Sequence, residues 1–171
     1  KNLYSLAKTL LGIVYVIIPF IMLNFLAFGF YNEKSEIVYS SHITLGLFYL
    51  IWVNDTGAYL VGSSIGKHKL HEKISPGKTW EGTIGGAIIA TGLSYLIWTL
   101  FPSIALKHWI VIAIIVSVLG TIGDLLESKL KRRTGVKDSG SIMPGHGGIL
   151  DRFDSLIFCI PFVYVYLCLF S

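Results

Sequence analysis

Between residues 124 and 154 the chain sets two close pairs of carboxylates, Asp124 with Glu127 and Asp151 with Asp154, beside the cations Lys131, Arg132, Arg133 and Lys137 and the turn Pro144, Gly145, His146, Gly147, Gly148. Asp124 and Glu127 are spaced i, i+3, as are Asp151 and Asp154, so on helices each pair shares a face. Carboxylates gathered without an internal cation repel one another, and a hard divalent ion bound through oxygen is the simplest relief. Asp124, Asp151 and Asp154 are therefore expected to hold Mg²⁺, with Asp55 and Glu127 as candidate supports. The alternative is that Asp151 or Asp154 pairs with Arg152 or the 131–133 cluster while Asp124 only caps its helix. The cations suit a phosphate-bearing substrate as charge-assisted donors, and the glycine turn leads to a helix N-terminus, where backbone N–H groups favour anions. Read blandly, the same residues are a flexible turn with the basic cluster that any membrane protein carries.

A second polar stretch, GKHKLHEKISPGKTWEGTIGG at 66–86, supplies Ser75, Lys78, Thr79 and Glu81. Its Gly77, Lys78, Thr79 is not a phosphate-binding P-loop, because that motif needs glycine at position 72, which is Glu72. Gly62, Gly66 and Lys67 fail by spacing, and His68 follows them. Gly82 and Gly86 have the spacing of close helix packing. His68 and His71 could ligate a metal at i, i+3, but in a lysine-rich loop they are expected to be solvated.

The elements that position these residues follow from composition. The chain has 171 residues, 53% hydrophobic and 14% charged, with mean hydropathy +0.68; about 25% charge is ordinary for a soluble domain. It reads as an all-α integral membrane protein. Five apolar windows of spanning length occur, at about Leu10 to Tyr31, Ile43 to Ile65, Thr79 to Phe101, His108 to Leu126 and Ile149 to Phe170. They are continuously apolar, so helices fit and transmembrane strands do not. Prolines at 19 and 161 are expected to bend the first and last. Of the 14 Lys and Arg, only Lys34 and Lys107 fall outside the N-terminus, the 66–78 loop and the region 129–152. Five spans put those three regions on one face, which the positive-inside rule makes cytoplasmic. The N-terminus is then inside and the C-terminus outside.

A net charge of +4 is accounted for by that rim and its attraction for anionic lipid, so nucleic acid is not an expected partner. Cys159 and Cys168 are nine residues apart, about 13 Å along one helix, too far for a disulfide. Carboxylates within spans cost about 3 kcal/mol or more each and mark ion, proton or substrate sites. Asp55, midway through the second window, is accordingly expected to face protein or water.

The residues Ser128, Lys131, Arg132, Lys137, Asp138, Pro144, His146, Gly147, Gly148, Asp151, Arg152 and Asp154 fall on the pattern S-x-x-K-R-x4-K-D-x-G-x3-P-G-H-G-G-x-x-D-R-x-D. In this the chain resembles the CDP-diacylglycerol synthase (phosphatidate cytidylyltransferase) family, and NDTGAYLVGSSIGKHKL, SPGKTWEGTIGG and GTIGDLLES resemble it too. The likeness runs over about 50–160, and Ser63 and Ser64 stand where relatives often carry arginine or another polar residue. It implies a single transmembrane catalytic domain over 1–171, without N-terminal helices that the family usually adds. It implies transfer of cytidylyl from CTP to phosphatidic acid, giving CDP-diacylglycerol and pyrophosphate in phospholipid biosynthesis. It further implies Mg²⁺, with a second, monovalent cation left open, and a homodimer, a form the family often takes. In that reading Lys131, Arg132, Lys137 and His146, with Ser75, Lys78 and Thr79, hold the CTP phosphates and the phosphatidate head group. Gly147 and Gly148 allow close approach, and Glu81 and Asp138 orient the cations. A lateral opening would admit the lipid while CTP arrives from the cytoplasm, at the plasma membrane if the source is bacterial.

Two rivals remain open on sequence. A CTP-dependent polyprenol or dolichol kinase would move the γ-phosphate instead. An ion-coupled transporter would also use intramembrane carboxylates and small-residue helices, though it leaves the 131–154 cluster without a purpose.

Overall fold

The computed structural model describes residues 2–28, 39–136, 139–140 and 148–170. Within these, helix α1 covers Asn2–Phe28 and α2 His42–Ile65; a short antiparallel hairpin, β1 (Lys69–His71) and β2 (Ser75–Thr79), leads into α3 (Trp80–Leu100). Helix α4 (Leu106–Ile115) passes through a π-helical turn at Val116–Gly120 into α5 (Thr121–Arg133), and α6 (Leu150–Phe170) follows. The class expected from composition holds, with the hairpin as an addition: the 66–78 stretch, read as loop, pairs Lys69 with Thr79 and His71 with Ser75.

Among the described residues, four stretches are long and apolar enough to cross a membrane, Ser5–Phe28, Trp80–Leu100, Leu106–Arg133 and Leu150–Phe170. The second expected window is also a helix, α2, at 24 residues, but Asn54, Asp55 and its small residues make it less apolar than the rest. Exposed side chains such as Leu11, Trp52, Ile88 and Leu169 put the apolar surface outside, as lipid requires. The core between the helices is Leu47, Leu50, Trp109, Ile112, Val116, Cys159, Ile160 and Val163. The helices run on through Pro19 and Pro161.

Backbone approach is what fastens α2 to α3. A β-carbon at Gly82 would come within 2.6 Å of the Ala58 carbonyl oxygen, and one at Gly86 within 2.6 Å of that of Asn54. The pair therefore meets through small residues, where dispersion rather than hydrophobic transfer supplies the attraction in lipid. Phe20 packs edge-on against Phe153 at 5.8 Å, and Phe25 against Tyr164 at 6.2 Å. Helices α1 and α6 thus run parallel, and the N-terminal end of α1 lies toward the end where α6 begins.

His108 is 6% exposed. Its Nδ1 is 3.0 Å from the Tyr166 hydroxyl, which satisfies the ring and lets the bundle close over it.

Candidate active site

The π turn sets the crossing of α5 and α6. Ser117 donates its hydroxyl to the Ala113 carbonyl at 2.8 Å, and Thr121 to that of Ser117 at 2.8 Å. A π turn carries extra backbone and rotates the face that follows it, and here that face presents Gly120 and Gly123 to α6. Ser155 donates to the Gly120 carbonyl at 3.2 Å. A β-carbon at Gly123 would lie 2.6 Å from the Phe158 β-carbon and 3.1 Å from the Asp154 carbonyl oxygen. Gly123→Val is accordingly expected to lose about 2 to 3 kcal/mol of stability through overpacking and at least about tenfold in activity. Thermal melting in detergent alongside a turnover assay reads both; wild-type values would mean the helices do not meet as described.

That contact brings the acids together. One carboxylate oxygen from each of Asp124, Glu127 and Asp154 lies within 4.8 Å of the others. Glu127 is 3% exposed, and its Oε1 has no hydrogen-bond partner among the described residues. Its Oε2 lies 2.9 Å from the Lys131 ammonium. Three carboxylate oxygens at this separation, one from the buried Glu127, form a donor set suited to a hard divalent cation such as Mg²⁺.

Asp151 stands beside this group with other partners. Its Oδ1 accepts from Lys131 Nζ at 2.6 Å, and its Oδ2 accepts the backbone N–H of Ser139 at 2.9 Å and of Gly148 at 2.8 Å. The anion received by Gly148 is thus the chain's own carboxylate. A β-carbon at Gly148 would meet the Gly140 backbone nitrogen at 2.8 Å, so glycine there lets the 139–140 segment press against the start of α6.

Across the space, the hairpin supplies Lys78. Thr79 is 4% exposed and caps α3 by accepting the Gly82 N–H at 3.1 Å. The Trp80 N–H donates to the His68 carbonyl at 3.0 Å. Glu81 closes the hairpin: its carboxylate accepts the His68 N–H at 3.2 Å and lies 2.6 Å from His68 Nδ1. From this braced strand Lys78 Nζ reaches Asp124 Oδ2 at 2.5 Å, while Asp124 Oδ1 accepts from Ser128 at 3.2 Å.

A cavity of about 970 Å³ lies between α2, β2, α5 and α6. Ser75, Lys78, Thr79, Asp55, Asp124, Lys131, Asp151, Arg152 and Asp154 form its polar lining, and Phe48, Ile51, Trp52, Tyr59, Phe153 and Leu156 its apolar lining. A chamber of both kinds suits a polar, anionic group joined to hydrocarbon.

The structure therefore gathers Asp124, Asp151, Asp154, Lys131, Lys78, Ser75 and Thr79 on one cavity. Glu81 is directed to His68, and Arg132 is exposed on α5, outside the described lining. Lys137, Asp138, Pro144, His146 and Gly147 lie outside the described residues. Arg152, which the sequence placed in the basic rim and as a possible partner of Asp151 or Asp154, and Asp55, expected to face protein or water, both line the chamber. Glu127 is a full member of the acidic group; its i, i+3 spacing from Asp124 was the signal for that.

The cytidylyltransferase family matches residues 1–170. Phosphatidate cytidylyltransferase of Staphylococcus saprophyticus is 44% identical over 172 residues, covering 98% of this chain and 62% of that protein. The Staphylococcus haemolyticus protein of the same name is 43% identical over the same shares. That of Bacillus subtilis is 52% identical over 127 residues, 71% of this chain and 46% of that protein. The chain spans about three-fifths of the length of the staphylococcal relatives.

Proposed function

This chain belongs to the cytidylyltransferase family, and from that premise we propose that it is the catalytic portion of a phosphatidate cytidylyltransferase, converting CTP and phosphatidic acid to CDP-diacylglycerol and pyrophosphate. The observation that carries the reading is the two-sided chamber. Lys78, Lys131 and Arg152 stand with Asp124, Asp151 and Asp154 on its polar lining, and an aromatic and aliphatic wall forms the rest. A lipid phosphate and a nucleotide triphosphate have to meet in such a place, with acyl chains left in hydrocarbon.

In this reaction a phosphatidate oxygen forms a bond to the α-phosphorus of CTP, and the bond from that phosphorus to the bridging oxygen breaks. The electron pair departs with pyrophosphate. The nucleophile is already anionic, so the chain needs no strong base; it has to align two anions and offset their charge. Lys78 and Lys131 reach the chamber from opposite elements, with Arg152 beside Asp151, and Ser75 adds a hydroxyl. Lys137, His146 and Arg132 add cationic residues to the sequence motif. Asp124, Glu127 and Asp154 would hold Mg²⁺, with Asp151 adjacent; when bound, the ion neutralises phosphate charge and orients the phosphates. Asp151 keeps Lys131 and the backbone at Ser139 and Gly148 in place.

The chamber opens to the cytoplasmic side of the plasma membrane in this reading. The basic hairpin and the C-terminal end of α5 share the end at which Lys78 and Lys131 meet the acids, and positive loops stay inside. Incubating the protein with phosphatidic acid, cytidine-labelled CTP and Mg²⁺ should place label in the extracted lipid with release of pyrophosphate. Lipid labelled only from the γ-phosphate would make it a kinase, and ion flux through sealed vesicles without CTP turnover would make it a transporter.

A further inference from the structure

Lys78 and Asp124 are joined in a way that bears on how the chamber is loaded. The lysine comes from the hairpin and the aspartate from α5, 46 positions later, so neither is the other's neighbour in the helical sense. Asp124 Oδ1 is occupied by the Ser128 hydroxyl and Oδ2 by the Lys78 ammonium. The oxygen that completes the acidic group with Glu127 and Asp154 therefore belongs to a carboxylate already partnered by an internal cation.

The two lysines of the site are held differently. Lys131 is clasped by Glu127 at 2.9 Å and Asp151 at 2.6 Å and is 17% exposed. Lys78 has Asp124 as its ion-pair partner, with 26% of its side chain exposed. Its backbone is braced by the Thr79 cap and the Glu81–His68 contact. Its four-carbon stem is free to turn and its ammonium is a compact charge, and the chamber beside it is open space.

Resting on the function proposed above, we propose that Lys78 is the resident counter-ion of Asp124 and is exchanged when the site loads. It occupies the carboxylate while the chamber is without a divalent ion, and it turns to the nucleotide's phosphates when that ion takes Asp124. An ammonium and a divalent cation sharing one carboxylate would repel each other across a few ångströms. Lys78 therefore competes with the ion until an anion arrives to receive it. The consequence is reciprocal: phosphate in the chamber strengthens ion binding, and the ion strengthens phosphate binding, through one side chain.

The test measures Mn²⁺ binding to the nucleotide-free protein by the loss of free-ion paramagnetic resonance signal. Lys78→Gln should bind Mn²⁺ about tenfold more tightly than wild type, a change of about 1.4 kcal/mol. Lys78→Arg, which keeps the charge, should stay near wild type. Lys73→Gln removes a charge from the same hairpin without touching Asp124 and should change affinity by less than about twofold, as expected for a screened charge at the surface. Equal or weaker binding by Lys78→Gln, or an equal gain in Lys73→Gln, overturns the exchange and leaves the proposed function standing. Absence of Mn²⁺ binding in all four proteins overturns the exchange and also removes the acidic group from the proposed function. Wild type gives an independent reading with no substitution: Lys78 should be acylated faster with Mg²⁺ present than without, Lys73 unchanged, as read by peptide mass spectrometry. An unaltered Lys78 rate overturns the exchange as well.

Discussion

Asp154→Asn should lower cytidylyl transfer by about a thousandfold, about 4 kcal/mol of transition-state stabilisation, while leaving the protein folded. The substitution keeps the size of the side chain and removes one of three charges whose oxygens lie within 4.8 Å of each other. An amide in that place donates to its carboxylate neighbours, so repulsion falls and the metal-free protein should melt at or above the wild-type temperature. The ion's contribution, charge neutralisation and orientation of phosphates, is what disappears. Mg²⁺ should raise the melting temperature of wild type, since it binds the folded state, and leave that of Asp154→Asn unchanged. Retained transfer in Asp154→Asn, or an undiminished Mg²⁺ shift, would take this aspartate out of the site. Asp124→Asn and Glu127→Gln test the remaining corners in the same way.

Lys131→Met should have the largest effect on stability. Lys131 is the cation between Glu127 and Asp151, whose side chains are 2% and 11% exposed. Replacing it strands a buried carboxylate, and breaking such a pair from one side costs about 3 to 5 kcal/mol. The loss is not the net worth of the ion pair, because replacing both partners by apolar residues can be neutral; it is the penalty for the orphaned anion. Mg²⁺ should therefore recover part of the melting temperature in Lys131→Met, by supplying the missing positive charge to Glu127. The double variant Lys131→Met, Glu127→Leu should recover it without the ion. If Lys131→Met melts with wild type, Glu127 is not held by this lysine. Activity should fall in all of these variants, since Lys131 also lines the chamber.

The helices were legible because lipid leaves little choice. A spanning segment has to satisfy its own backbone hydrogen bonds and be apolar over its length, so hydropathy located α1, α3, α4 with α5, and α6 directly. It also located α2, although Asn54 and Asp55 dilute that helix. The hairpin was hidden because Lys69–His71 and Ser75–Thr79 are short, polar and contain Pro76 and Gly77, so they show no strand alternation. They pair because the Glu81 carboxylate and the His68 carbonyl draw the strand ends together, a contact thirteen residues apart.

The acids divide in the same manner. Spacing alone said that Asp124 and Glu127 share a face, as do Asp151 and Asp154, and that carboxylates so concentrated need a cation. It could not say which of them face one another, because that depends on the rotation of α5 against α6. The π turn, the approach at Gly123 and the Ser155 hydrogen bond decide that rotation. They direct Asp154 toward Asp124 and Glu127 and leave Asp151 to Lys131 and two backbone N–H groups. Composition and local spacing thus determined the elements, their membrane character and the chemistry available. The tertiary structure decided the partners of each charge, because an ionic contact is set by a few ångströms between helices whose relative rotation no local pattern encodes.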